Sequence, residues 1–220
     1  MAHRRQIRVS LLSVFIALFS SLSGPASAQE LNVNAQLLVA ARNGDVAAVA
    51  RALERGAAPD SRNRIGDTAL LIACKKGLTD MARLLIEHGA NLDQPNVERV
   101  TPLMAAAYGG YKEIVAELLA RHADLAATDR VHKTAMIYAA GQGHTAIVRM
   151  LLDAGVEVNA VYDNGLTALM WAAGYGHTET VKFLLERGAR REPRDNRGLT
   201  AQAIAQQAGM AEVTQLLAQP

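Results

Sequence analysis

The chain has one cysteine, Cys74, and only 4% of its 220 residues are aromatic. A lone cysteine excludes an intrachain disulfide, so the fold must be held by its core. After Ser27 the only serine is Ser61, which lacks the flanking glycines of a nucleophile elbow. No Walker or dinucleotide glycine pattern and no H-E-x-x-H string occurs. An excess of one charge is missing too, with 23 basic residues against 21 acidic ones. Three of the basic residues, Arg4, Arg5 and Arg8, fall in the first 28 positions, which carry no acidic residue. Without that segment the balance is 20 basic to 21 acidic, which excludes a basic nucleic-acid binder by composition. The apolar half of the composition, with 20% charged residues, excludes a disordered chain.

The N-terminus reads as an export signal. A cationic start, Met1 to Arg8, precedes the mostly apolar run Val9 to Leu22. Gly24-Pro25 then break a helix, and Ala26-Ser27-Ala28 has the small-x-small spacing that signal peptidase reads. The run is shorter than the roughly 20 residues a membrane-spanning helix needs, so no membrane span is expected. Cleavage after Ala28 is expected to release a chain starting at Gln29, without a lipid-bearing cysteine. Arg4-Arg5 leaves a twin-arginine route open beside the general one. The single cysteine, and the lack of any Asn-x-Ser/Thr acceptor after the cleavage point, favour a periplasmic over a eukaryotic secretory destination.

The rest of the chain repeats. Thr68, Thr101, Thr134, Thr167 and Thr200 stand 33 residues apart. Ala73, Ala106, Ala139, Ala172 and Ala205 follow in phase, and then Gly77, Gly110, Gly143, Gly176 and Gly209. Paired leucines and isoleucines come later in each period. One period back lies Ala35, with Gly44, Leu53 and Gly56 in register. Each unit predicts two short helices, the second closed by a left-handed residue at Gly56, Gly89, Gly155 or Gly188. Such pairs are marginal alone and become stable by stacking.

The strings TALLIACKKG, TPLMAAAYGG, TAMIYAAGQG and TALMWAAGYG resemble the ankyrin repeat, and the resemblance covers residues 33–220. It implies an all-α solenoid of helix-turn-helix units, with loop fingers before each threonine and a concave face lined by first helices. The expected order is a signal peptide over 1–28 and an N-terminal capping repeat over 29–65. Full repeats are expected over 66–98, 99–131, 132–164 and 165–197, with a C-terminal cap over 198–220. Departures from the signature are specific. Leu71, Met104, Ile137 and Met170 replace its histidine, which suggests apolar packing there. His122 replaces a helix-ending glycine, and Arg99 and His132 replace the loop glycine seen at Gly66, Gly165 and Gly198.

Catalytic machinery is not expected. Cys74 aligns with Ala107, Ala140 and Ala173, a packed position, although Lys75 and Lys76 adjoin it. His144 and His177 share one repeat position and should lie about 10 Å apart, too far to converge on one zinc ion. His88, His122 and His132 fall at helix ends or in a loop, and Asp163-Asn164-Gly165 reads as a turn rather than a calcium loop. No metal and no cofactor is predicted.

What remains is surface. Tyr108 and Tyr175 fall where first helices face outward on the concave side. Tyr138 and Trp171 share one position, where contact and inter-repeat packing are both open readings. Tyr162 lies in a finger, as do Arg99 and His132, and Lys75, Lys76 and Gln142 extend the strip with polar groups. Clustered Tyr and Trp match the composition of binding hot spots. The arginines from Arg187 to Arg197 are interrupted by Glu192 and Asp195 and read as a solvated face. The expected protein is a monomeric, non-enzymatic binder of a protein partner through its concave face and loop tips. An inhibitor or immunity-type protein, or an enzyme with an unrecognised site, are the other readings.

Overall fold

The computed structural model describes residues 26–219, with side chains from Val33 onward; the expected leader lies almost wholly outside the described residues. The described residues form twelve α-helices and one 3-10 turn, and no strand. The helices come in pairs: α1 (Ala26–Asn43) with α2 (Val46–Glu54), α3 (Ala69–Lys76) with α4 (Thr79–Glu87), and α5 (Pro102–Gly109) with α6 (Lys112–Ala120). Then follow α7 (Ala135–Gly141) with α8 (Thr145–Asp153), α9 (Ala168–Gly174) with α10 (Thr178–Glu186), and α11 (Ala201–Gln207) with α12 (Ala211–Ala218). Odd helices form one row and even helices a second, each touching the next in its own row. The odd row, rich in alanine, packs more closely, so the stack curves towards it. That makes the expected all-α solenoid.

The recurring threonines start the odd helices. Each Oγ accepts a hydrogen bond from the backbone N–H three residues on (Leu71, Met104, Ile137, Met170 and Ala203) at 3.1 to 3.5 Å. Ala35 stands at that register in the first unit and has no oxygen to cap with. α1 accordingly runs through it as an 18-residue helix, instead of the short first helix the period predicts. Leu71, Met104, Ile137 and Met170 are buried, so apolar packing does fill the place of the signature histidine. Arg99, His122 and His132 adopt left-handed φ values of 61°, 60° and 57°, matching the glycines they replace.

The fingers share a turn device. Asn63 Oδ1 accepts from the N–H groups of Ile65 and Asp67, and Asn96, Asp129 and Asp195 repeat the pattern. Tyr162 occupies this position in the fourth finger, and there the chain forms the 3-10 turn Asp163–Gly165 with Asn164 at φ 59°. Neighbouring fingers are tied by backbone bonds, Val97 to Ile65 at 3.1 Å, Arg130 to Glu98 at 3.1 Å and Asn196 to Asn164 at 2.8 Å. Between the third and fourth fingers side chains make the tie, His132 Nδ1 lying 2.5 Å from Asp163 Oδ2.

Candidate protein-binding face

Cys74 is fully buried in α3, and burial alone raises its thiol pKa far above the usual range. An unionised, enclosed thiol is a packing group rather than a nucleophile. Phe183 is buried as well, with the guanidinium of Arg149 4.1 Å from its ring centre. His144 and His177 serve the stack. The Nε2 of each faces a backbone carbonyl oxygen of the preceding unit, Tyr108 at 3.0 Å and Gly141 at 2.9 Å. A carbonyl can only accept, so the proton resides on Nε2 in both.

Four of the remaining aromatics converge on the concave row. Tyr108 and Tyr175 are 54% and 57% exposed, while Tyr138 and Trp171 are half-buried and packed on the core. Tyr108 meets Tyr138 edge-on with ring centres 5.6 Å apart, and Trp171 lies nearly parallel to Tyr175 at 6.0 Å. Tyr138 and Trp171 are therefore packing residues and surface residues at once: one flank of each supports the stack, the other lines a groove. The register explains the spaces between them. Tyr138 and Trp171 align with Ala105, whose small side chain opens a cavity of about 340 Å³ walled by Lys75, Val100, Met104, Tyr108 and Tyr138. Beyond the Tyr108–Tyr138 pair lies a second cavity of about 230 Å³, bounded by Gln142, Trp171 and Tyr175 and floored at Gly141.

Tyr138 is held in place by its hydroxyl, which donates to Asp129. Burial first, and then that hydrogen bond, push its phenol well above the ordinary tyrosine range. Lys75 lines the first cavity while its Nζ reaches both carboxylate oxygens of Asp67 at 2.7 Å. Lys76 turns the other way, its Nζ donating to the Arg42 carbonyl oxygen at 2.5 Å, and does not line the groove. Arg99 is apart as well: with His132 and Tyr162 it lines a separate cleft of about 750 Å³ among the fingers and the loops after α6 and α8. Tyr162 is half-buried against the core, and that burial raises its phenol above the ordinary tyrosine range. His132 and Tyr162 rejoin the aromatic strip through a smaller cavity that also touches Trp171.

One groove residue stands outside the sequence prediction. Lys133 places its ammonium 4.6 Å from the Trp171 ring centre and 5.6 Å from that of Tyr138. It precedes the capping threonine, at a position filled elsewhere by Asp67, Val100, Leu166 and Leu199, so no periodicity marks it.

The sequence profile described as ankyrin repeats (3 copies) matches residues 37–129, 97–162 and 136–220. The chain belongs to the ankyrin-repeat family. Ankyrin repeats are in general protein–protein interaction modules and typically non-enzymatic, which fits a stack whose one thiol is buried and whose His144 and His177 bond to the preceding unit. No curated protein matches the chain closely enough to narrow that statement. Among the described residues no helix is long and apolar enough to cross a membrane.

Proposed function

We propose that this ankyrin-repeat chain is a non-enzymatic binding module that holds a protein partner on its concave face. The observation that carries the reading is the contiguous set Tyr108, Tyr138 and Trp171 on the odd helices and Tyr175 at the C-cap of α9, all presented by elements already fixed by the stack. Rigid aromatic anchors give up little conformational entropy on binding, so most of their buried area counts towards affinity. His132 and Tyr162 form the finger-side margin of the face, and Arg99 belongs to the neighbouring cleft. The site of action is the periplasm, a reading supported by the export pattern of residues 1–28 and the single cysteine. The chain acts as a monomer, its end units being the two caps, 29–65 and 198–220.

Fractionation of cells expressing the tagged chain with its own leader tests the location, and capture from the same fraction tests the function. A partner held by the native chain and lost by the Tyr108→Ala/Tyr175→Ala variant, with helicity unchanged, is the expected result. Capture unaffected by the double substitution removes the concave face from the account.

A further inference from the structure

From α3 onward, acidic residues are sorted between the two rows of the stack. The odd helices α3, α5, α7, α9 and α11 contain no aspartate or glutamate, whereas every even helix carries at least one. The two carboxylates beneath the groove, Asp67 and Asp129, are both buried and occupied. Asp67 is taken up by Lys75 and by Asn96 Nδ2 at 2.9 Å, and Asp129 by Tyr138 and by the N–H groups of Val131 and Lys133. The exposed fingertip acids also have partners: Glu98 faces Arg130 and Asp163 faces His132.

Lys133 differs from all of these. Its ammonium rests between the faces of Tyr138 and Trp171, and among the described residues no carboxylate forms an ion pair with it. A lysine held over aromatic rings keeps its charge and is partly stripped of water, so an incoming carboxylate meets a stronger field than at an open surface. The groove thus combines aromatic walls with a cation and no carboxylate in its own lining, in a chain whose total charge is nearly balanced, 23 basic to 21 acidic. The exposed carboxylate of the adjoining finger cavity is Asp163, where His132 faces it.

We infer that the occupant of this groove is an acidic segment of polypeptide, one carboxylate meeting Lys133 and a neighbouring apolar side chain entering beside Tyr108 or Tyr175. The inference rests on the protein-binding reading above and specifies the chemistry of the partner. Like-charge repulsion against Lys133 disfavours basic segments, so the same geometry supplies selectivity.

Trp171 is the only tryptophan in the chain, so its emission reports the groove directly. The test titrates the full chain with a short peptide alternating Glu and Leu, with the same peptide carrying Gln for Glu, and with a Lys-for-Glu version. Saturable change with the Glu peptide, about ten-fold weaker binding of the Gln peptide and none of the Lys peptide is expected, as one charge-assisted contact implies. Lys133→Gln should weaken the Glu peptide about ten-fold and leave the Gln peptide unchanged, and added salt should mimic that loss. Equal binding of the Glu and Gln peptides overturns the acidic specificity while leaving the aromatic face as a binding site. No response to any peptide, or tighter binding of an oligonucleotide or of anionic phospholipid vesicles than of the Glu peptide, overturns it as well. The capture experiment with the double tyrosine variant judges the broader reading separately.

Discussion

His144 donates from Nε2 to the carbonyl oxygen of Tyr108, 3.0 Å away and one unit earlier, so a groove tyrosine is anchored through the repeat that follows it. The same imidazole covers Gly110. Tyr111 lies over Gly77 and His177 over Gly143 in the same way, forming a column of rings against left-handed glycines.

Gly110→Ala would set a Cβ 2.6 Å from His144 Cε1 on a backbone with φ 76°. Left-handed strain of about 1–2 kcal/mol then adds to overpacking of about 1–3 kcal/mol. Gly89 has φ 79° but nothing within 4 Å of a built Cβ, so Gly89→Ala carries the strain alone. Urea unfolding should show the first variant clearly less stable than the second. Equal losses would mean that His144 shifts freely and the column contributes nothing.

His122 adopts φ 60° where other units place glycine at the end of the second helix. Replacing it by glycine removes the Cβ penalty and adds some unfolded-state entropy, a net gain of about 0.5–1 kcal/mol. A rise in the unfolding midpoint is the expected outcome. A fall would show that the histidine side chain contributes more than its backbone strain costs.

Cys74 should resist alkylation in the native chain and react only as fast as the chain opens, because burial holds it as the thiol. Its raised pKa also fixes the sign of a pH effect. The unfolded chain releases the proton above the ordinary value of 9.0 while the folded chain keeps it, so stability from this group is complete below that pH and falls above it. Cys74→Ala, which installs the residue found at Ala107, Ala140 and Ala173, should remove that part of the alkaline loss. Rapid native alkylation would reopen the case for a reactive thiol.

Much of this was legible in the sequence because period and chemistry coincide. Threonine caps, left-handed positions and alanine contacts recur at one spacing, and a single helix pair displays the rule that places Tyr108 and Tyr175 on the concave side. The exceptions are residues whose role depends on a neighbour one unit away. Lys133 has no periodic counterpart, and although Tyr138 is five residues on in the same unit, Trp171 meets it only across the stack. Lys75 and Lys76 look alike in sequence, yet Asp67 holds one at the groove while the Arg42 carbonyl draws the other away. The length of α1 was hidden for a different reason: the register shows Ala35 in place of a capping threonine, but a missing start signal does not say how far upstream a helix begins.

The most direct test of the central claim is partner capture by the native chain beside its Tyr108→Ala/Tyr175→Ala variant, both checked for equal helicity. Both side chains are exposed, so the variant should fold as the native chain does. The account predicts one dominant protein on the native chain and its loss from the variant. The same protein retained in equal amount by the variant would contradict it.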